Sequence, residues 1–395
     1  MFICNNVNHS TLFEKSVGQT VTLSDIEYLL DENNIALSEL MGFASAVRDY
    51  GKGKVITYSP KVFIPLTKLC RDTCGYCTFR KEPGESNPYM SPEEVLCLAK
   101  SGEGLNCTEA LFTLGELPEQ KYVEAKQWLY EHGYKSTIEY LIEMSRMVFE
   151  KTNLFPHSNP GTLSRRELKS LKTYNASMGL MLESISPKLH NKHGPHEYAP
   201  SKRPSVRIKT ITLAGEEKIP FTTGLLIGIG DSFEEQIEGI LKIKELNDKY
   251  GHIQEVIIQN FRPKTNTALN DRPPPEEEYM LRLVSIARLI LGPKMNLQVP
   301  PNISVGKFGH YINAGINDWG GVSPITIDHV NPEAPWPQLK KLKLETERYG
   351  FRLEPRLPIY REYSDRSSGF VSGIMGDKIR DSYINLNETL NESHD

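Results

Sequence analysis

Short apolar runs alternate with segments of helical periodicity along most of the chain. Seven runs of apolar residues, and a weaker eighth, predict strands. They lie at 62–66, 110–114, 154–156, 177–182, 223–227, 255–259, 296–299 and near Ile316. Helical patterns follow them at 91–101, 119–132, 136–150, 164–173, 203–216, 232–249, 275–291, 304–313 and 337–349.

This alternation indicates the α/β class. Nearly continuous apolar strands are typical of a parallel sheet buried on both faces. Eight strand–helix units in about 290 residues fit a closed (β/α)8 TIM-type barrel better than a doubly wound sheet. We expect residues 1–57 to form an N-terminal helical extension, residues 58–360 the barrel, and residues 361–395 a partly disordered C-terminal tail.

Charge and hydropathy exclude several classes of partner. The chain has 46 Lys and Arg against 50 Asp and Glu, a formal net charge of −4. This balance offers no electrostatic surface for nucleic acid or for an anionic membrane. No apolar run reaches the roughly 18 residues of a membrane-spanning helix, and the first residues lack the pattern of a secretory signal. We therefore expect no nucleic-acid or membrane partner.

Three of the six cysteines fall within eight residues, in the spacing Cys-x3-Cys-x2-Cys. These are Cys70, Cys74 and Cys77, whereas Cys4, Cys97 and Cys107 are scattered. We interpret Cys97 and Cys107 as buried hydrophobic residues. Three thiolates can bind three irons of a [4Fe–4S] cluster and leave the fourth iron open, whereas a structural zinc site uses four protein ligands. The spacing favours the cluster, with zinc and a coincidental group of reduced thiols as alternatives.

Polar residues follow several predicted strands, at the end of the barrel where such enzymes carry their chemistry. Gly115 and Glu116 could accept hydrogen bonds from an ammonium group. Glu183 could bind both hydroxyls of a ribose, and Arg207 could bind a carboxylate through two hydrogen bonds. For each, the alternative is an ordinary turn, rim or surface residue.

Other strand ends offer proton-transfer and substrate contacts. His157 ends the third strand and has an ordinary pKa near working pH. Gly228 follows the fifth strand, where the backbone could approach an adenine edge, although the full dinucleotide-binding glycine motif is absent. The segment 318–324, which begins with Asp318, is expected after the eighth strand. The loop histidines His190, His193 and His196 we interpret as solvated or substrate-loop side chains.

The cysteine motif, with Tyr76 before its last cysteine, resembles the radical S-adenosylmethionine superfamily. The segments 62–80, 109–116, 157–161 and 319–324 are similar to the CofG-type family, the radical-forming subunits of deazaflavin (7,8-didemethyl-8-hydroxy-5-deazariboflavin, FO) synthases. The match runs from about residue 58 to residue 360.

The resemblance implies a role for each site residue. Cys70, Cys74 and Cys77 would hold a [4Fe–4S] cluster whose open iron binds S-adenosylmethionine. The remaining residues would contact S-adenosylmethionine. The adenine would lie near Tyr76, Gly228 and Ile229, and the ribose near Glu183. The methionine amino group would lie near Gly115 and Glu116, and the methionine carboxylate near Arg207. The superfamily pattern has a second glycine where this chain has Leu114. His157 and Asp318 are our hypotheses for proton transfer.

The family's reaction would be an ammonia-eliminating cyclisation. A 5′-deoxyadenosyl radical would act on 5-amino-5-(4-hydroxybenzyl)-6-(D-ribitylimino)-5,6-dihydrouracil, which a partner radical enzyme supplies. Reduced ferredoxin or flavodoxin would donate electrons, and an air-sensitive cluster implies a reducing cytoplasm. Two alternatives stay open: another radical enzyme on the same scaffold, such as the partner subunit or a biotin-synthase-like enzyme, and a non-catalytic iron–sulfur or zinc protein.

Overall fold

The structure is a computed structural model that describes residues 9–18, 21–30, 33–85, 87–304, 306–371 and 373–392. Three helices precede the first strand: α1 (His9–Gly18), α2 (Leu23–Leu30) and α3 (Leu37–Lys52). Helix α3 packs beside the barrel, where the buried guanidinium of Arg48 donates a hydrogen bond of 3.2 Å to the carbonyl of Ile316. The predicted helical extension is therefore present in the described part of residues 1–57.

Eight strands form the barrel. They are β1 (Val55–Thr67), β2 (Glu109–Leu114), β3 (Phe155–Asn159), β4 (Ser177–Gly179), β5 (Phe221–Ile227), β6 (Ile253–Asn260), β7 (Asn296–Gln298) and β8 (Asp318–Val322). The helices between them are α4 (Pro92–Glu103), α5 (Val123–Glu131), α6 (Thr137–Lys151), α7 (Arg165–Lys172), α8 (Pro204–Glu216), α9 (Phe233–Tyr250), α10 (Glu277–Leu291) and α11 (His310–Asn313). Helix α12 (Leu339–Arg348) and strand β9 (Arg352–Pro355) follow.

All strand pairs are parallel, and the sheet closes through β1. Residues 61–67 of β1 pair with β2, and residues 57–60 pair with β8. The predicted (β/α)8 TIM-type barrel is thus confirmed. Among the described residues, no helix combines the length and the apolar character needed to cross a membrane.

Local sequence signals fix where several barrel helices begin. The pattern Ser-x-x-Glu precedes α4, α7 and α9, and in each the serine accepts from the backbone of the glutamate while the glutamate accepts from the serine N–H. These capping boxes satisfy donors that a helix start otherwise leaves open. They orient the chain as it leaves the loops that form the site.

The amino end of the barrel is closed by the chain after β9. Leu357, Ile359 and Met375 pack with Phe155 of β3 in a separate apolar cluster. The Lys378 ammonium donates three hydrogen bonds of 2.7–3.1 Å to carbonyls of residues 149–154. Helices α13 (Arg361–Ser364) and α14 (Gly373–Glu392) lie in the segment expected to be a partly disordered tail, and residues 393–395 lie outside the described residues.

One boundary error that affects the site concerns the eighth strand. We expected it near Ile316, but it begins at Asp318, because Ile316 and Asn317 lie in the irregular segment that leads into it. The helix expected at 304–313 is only the short α11. As a result, Asp318 starts a strand and does not follow one.

Candidate functional site

The barrel lumen holds a cavity of about 380 Å³ to which all eight strands contribute residues. Successive residues of a strand point to opposite faces, so every second residue faces the lumen. The predicted site residues that line this cavity are Cys70, Cys74, Tyr76, Cys77, Gly115, Glu116, His157, Glu183 and Arg207. The structure therefore brings nine of the twelve together, and Gly228, Ile229 and Asp318 are the exceptions.

Backbone hydrogen bonds hold the cysteine loop, residues 68–79, against two other segments, the end of β2 and the loop that contains residues 195–198. They run from Arg71 N to Glu116 O, from Thr73 N to Tyr198 O and from Gly75 N to Pro195 O, each 2.8 Å long. The buried carboxylate of Asp72 also accepts from the Ser201 N–H at 3.1 Å. The positions of the three thiols are thus set by packing within the fold.

The thiols sit where burial disfavours negative charge. Burial raises the pKa of Cys70 to about 11 and that of Cys74 to about 12. Thiolates at these positions therefore need a cation, which the irons of a cluster supply. In the described part of the chain, no three His, Cys, Asp or Glu side chains converge on a point that one metal ion could fill. All three thiols line the same cavity.

The end of β2 packs directly against the cysteine loop at Gly115. A Cβ added there would lie 2.0 Å from the Leu69 carbonyl oxygen, so only glycine fits. The next N–H, that of Glu116, donates to Cys70 Sγ at 3.2 Å, a contact that stabilises a thiolate. The Glu116 carboxylate accepts from the Thr162 N–H at 3.0 Å and so orders the loop after β3.

Tyr76 forms an apolar cluster with Leu226, Ile229 and Phe261 at the side of the cavity. Its hydroxyl hydrogen-bonds His196 Nε2 at 2.9 Å. Burial lowers the pKa of His196 to about 3, so this imidazole is neutral. His196 therefore holds the tyrosine ring in one orientation, a contact that the sequence analysis did not predict.

Glu183 lies just past β4, in a left-handed backbone conformation with φ of +69°. Its carboxylate pairs with the Lys202 ammonium. Burial alone would raise the pKa of Glu183, but the cations Lys202 and Arg207 hold it below its ordinary value. The glutamate is therefore an anionic hydrogen-bond acceptor inside the cavity.

Arg207 occupies the first turn of α8 and is 4% exposed. One guanidinium nitrogen donates to the Met181 carbonyl, whereas the buried Nε has no hydrogen-bond partner among the described residues. An unpaired buried guanidinium donor is costly, and a carboxylate is the acceptor that its geometry suits. This orphaned atom fits the carboxylate site that the sequence predicts.

Gly228 and Ile229 lie behind the cavity wall. Gly228 has φ of +97°, and its carbonyl accepts from Arg272 Nε at 2.6 Å. Ile229 is fully buried against Tyr76. These residues support the adenine side of the predicted site from outside the wall, and they do not themselves line the cavity.

His157 faces the lumen from β3 with both ring nitrogens engaged. Nδ1 hydrogen-bonds Ser177 Oγ at 2.7 Å, and Nε2 hydrogen-bonds Asn159 Oδ1 at 3.0 Å. Burial lowers the pKa of His157 to about 4, so the ring is neutral at physiological pH. It is a hydrogen-bonding group in the cavity, and its role in proton transfer stays a hypothesis.

Asp318 is not at the cavity surface, and the expectation that it follows the eighth strand was wrong. Its carboxylate accepts hydrogen bonds from Arg356 Nε at 2.6 Å and Nη2 at 3.0 Å. Arg356 also donates to Glu255 at 2.8 Å, and it is Arg356 and Glu255 that line the cavity. Asp318 can therefore act on the cavity only through Arg356.

Some secondary predictions were also wrong. Cys97 is exposed on α4, whereas Cys107 is buried as expected, and Cys4 lies outside the described residues. His193 is exposed, but His196 is buried, unlike the solvated side chain that we expected. The lumen residues Lys61, Glu109 and Glu255 were missed, because each lies directly before, or at the first position of, a segment that we interpreted as an apolar run. A charged residue at the start of each of these three segments was the signal that could have identified them.

Comparison with known proteins identifies related chains. The family model described as the radical SAM superfamily matches residues 64–243. A 7,8-didemethyl-8-hydroxy-5-deazariboflavin synthase of Methanopyrus kandleri is 52% identical over 313 residues, which cover 79% of this chain and 93% of that protein. An FO synthase of Streptomyces avermitilis is 44% identical over 365 residues, which cover 90% of this chain but 42% of that longer protein.

Solved structures share the fold at low sequence identity. Methylornithine synthase (PylB) aligns with a TM-score of 0.68 and 18% identity, covering 90% of this chain and 99% of that one. The [FeFe]-hydrogenase maturase HydG aligns with a TM-score of 0.70 and 17% identity, covering 88% of this chain and 76% of that one. These likenesses support the barrel and carry no information on the substrate.

Proposed function

Since the chain belongs to the FO synthase family of radical S-adenosylmethionine enzymes, we propose that it catalyses the ring-closing step of deazaflavin coenzyme biosynthesis. The substrate is 5-amino-5-(4-hydroxybenzyl)-6-(D-ribitylimino)-5,6-dihydrouracil. The products are FO, ammonia, methionine and 5′-deoxyadenosine, which makes the enzyme a carbon–nitrogen lyase. The observation that carries this proposal is the 52% identity to a synthase that the alignment covers over 93% of its length.

The residues of the cavity fit the proposed cofactors. Cys70, Cys74 and Cys77 line one wall and would hold a [4Fe–4S] cluster, and the Glu116 N–H stabilises the thiolate of Cys70. When bound, the cluster and S-adenosylmethionine supply the 5′-deoxyadenosyl radical that abstracts hydrogen from the substrate. The orphaned Nε of Arg207 suits the methionine carboxylate.

The remaining site assignments follow the walls of the cavity. Glu183 accepts from the ribose hydroxyls, and Gly115 with Glu116 borders the methionine amino group. Tyr76 packs beside the adenine, with Gly228 and Ile229 behind it. Lumen walls that exclude water protect a carbon radical from side reactions. His157 is the candidate proton-transfer residue, and Asp318 positions Arg356.

Partners follow from the chemistry. A separate radical enzyme supplies the substrate, which agrees with the chain spanning only about two-fifths of the longer actinobacterial FO synthases, 42% in the Streptomyces avermitilis protein. A reduced ferredoxin or flavodoxin provides the electron. An oxygen-sensitive cluster places the enzyme in a reducing cytoplasm. The catalytic unit begins with β1 at Val55, three residues before the expected boundary at residue 58, and includes the segment after β9 that closes the amino end of the barrel.

Anaerobic reconstitution tests this function. The protein is loaded with iron and sulfide, then given S-adenosylmethionine, dithionite and the dihydrouracil substrate. FO fluorescence and 5′-deoxyadenosine should both appear. If 5′-deoxyadenosine forms with tyrosine and a ribitylaminouracil but not with this substrate, the chain is instead the partner enzyme on the same scaffold.

A further inference from the structure

Three layers of side chains fill the barrel lumen. Along β1, β2 and β6, the inward residues of the lowest layer are charged: Lys61, Glu109 and Glu255. Two residues further on, the middle layer is apolar and consists of Phe63, Leu111 and Ile257. Thr113 and Gln259 form a polar layer nearest the cysteine loop. Barrel interiors are usually filled by branched apolar residues. We therefore interpret the charged lowest layer, which we call the floor of the lumen, as a site for a ligand.

The charged residues of this lowest layer form two groups, and in one of them the side chains hydrogen-bond to one another. Glu255 accepts hydrogen bonds from Arg356 at 2.8 Å, Tyr360 at 3.1 Å and Thr222 at 3.0 Å. Arg356 in turn binds Asp318. This group has little hydrogen-bonding capacity left for a ligand.

The other group, which we call the imide floor, consists of Lys61, Glu109 and Gln298. Lys61 Nζ lies 2.9 Å from Glu109 Oε1, but this buried oxygen has no partner with hydrogen-bond geometry. The side-chain amide of Gln298 makes no hydrogen bond to any described residue, and Gln298 lines the cavity. Glu109 is 1% exposed, so the floor keeps an unsatisfied buried acceptor beside two donors.

Two glycines of β8 make room for the imide floor. A Cβ on Gly320 would lie 1.9 Å from Gln298 Nε2, and a Cβ on Gly321 would lie 1.9 Å from Lys61 Cε. The lysine and glutamine side chains thus cross β8 from opposite sides. These glycines hold no ligand themselves, but they allow both donors to reach the lumen.

Directly above the imide floor, the surface suits a flat ring. The Phe63 ring stacks on Trp336 with centroids 5.4 Å apart and an interplanar angle of 16°. Leu111 and Ile257 complete this apolar layer. A sugar chain would need polar partners along its length, whereas a planar heterocycle needs them only at its edge.

We propose that Lys61, Glu109 and Gln298 bind the imide edge of the substrate's pyrimidinedione ring, an inference that rests on the proposed function. That edge has two carbonyl acceptors and one N–H donor, which complement two donors and one acceptor on the floor. Held this way, the ring points C5 and C6, on its opposite side, towards the cysteine loop. C5 carries the hydroxybenzyl and amino groups, so the reacting atoms face the site of S-adenosylmethionine.

The product keeps the same imide edge, so FO itself is the probe. Equilibrium dialysis of the reconstituted, unreduced protein would measure FO and N3-methyl-FO binding by fluorescence of the free ligand. The wild-type protein should prefer FO about tenfold or more, because the methyl group removes the donated hydrogen bond to a charged acceptor. Equal binding of the two, or no binding of FO at all, overturns the proposal without any variant.

Variants of the imide floor and its surroundings test whether these residues cause the preference for FO over N3-methyl-FO. Lys61→Met should weaken FO binding at least about tenfold, since a charged hydrogen bond is lost. Gly321→Ala should weaken it too by displacing the ammonium while its charge stays. The exposed Lys151→Met is the matched control and should bind like the wild type.

Folding must be separated from binding. Lys61→Met leaves Glu109 as a buried unpaired charge, so the double variant Lys61→Met with Glu109→Gln is made as well. Wild-type affinity for FO in either folded variant contradicts the proposal. If the wild-type protein forms no FO from its substrate, the proposed function fails. If it forms FO but does not distinguish the N3-methyl ligand, only the present inference fails.

Discussion

Arg356 forms ion pairs with two buried carboxylates, and its removal should strongly destabilise the barrel. It contacts Asp318 at 2.6 and 3.0 Å and Glu255 at 2.8 Å, and its side chain is 8% exposed. Arg356→Met would leave two buried anions with no cation. Breaking a buried pair in this way costs about 3–5 kcal/mol of unfolding free energy.

The loss of unfolding free energy in Arg356→Met should depend on pH. Burial already raises the pKa of Glu255 to about 6, above its ordinary value of 4.5, so ionised Glu255 opposes folding above that pH. Without Arg356, protonation of Glu255 becomes still more favourable in the folded state. The deficit of the variant should therefore be largest near about pH 7.5 and shrink towards about pH 5.5.

Urea denaturation followed by tryptophan fluorescence measures both effects. Arg352→Met is the matched control, because Arg352 is 65% exposed and pairs with Glu354 at 3.2 Å, a surface contact worth about 0–1 kcal/mol. If Arg356→Met loses no more than this control, or loses the same amount at both pH values, the account of the barrel floor is wrong.

Three further variants test the upper part of the cavity. Cys74→Ser should lose most bound iron on reconstitution, whereas the exposed Cys97→Ser should load like the wild type, and iron analysis distinguishes them. Gly115→Ala should also lower iron content, because its Cβ would meet the Leu69 carbonyl at 2.0 Å, whereas Gly104→Ala, with its nearest contact at 3.5 Å, should not. Arg207→Met should weaken S-adenosylmethionine binding by about tenfold or more in equilibrium dialysis of the reconstituted protein, and unchanged affinity would contradict the carboxylate assignment.

Periodicity was enough to predict the barrel because its strands are buried on both faces and its helices carry capping signals. The spacing of Cys70, Cys74 and Cys77 likewise predicted that three thiols meet at one cavity, since all three lie in one short loop. Glu183 could be placed because it directly follows the strand predicted at 177–182, and Arg207 because it lies near the start of the helix predicted at 203–216. Such local features need no knowledge of distant contacts.

Long-range contacts account for what the sequence did not reveal. Arg356 reaches the lumen from a segment beyond the eighth strand, and only the packing of residues 356–379 under the barrel shows that this segment is its floor. His196 is buried because Tyr76 needs a partner 120 residues away. Asp318 was expected after the carboxyl end of the eighth strand, but that strand begins at Asp318 and ends at Val322, so the side chain lies at the opposite end of the strand from the one that we predicted.

The stoichiometry of products tests the central claim most directly. The reconstituted, reduced protein is given S-adenosylmethionine and the dihydrouracil substrate, and FO and 5′-deoxyadenosine are quantified over time. If the chain is an FO synthase, FO should appear in proportion to 5′-deoxyadenosine and only when this substrate is present. Formation of 5′-deoxyadenosine at the same rate without any FO would contradict the assignment.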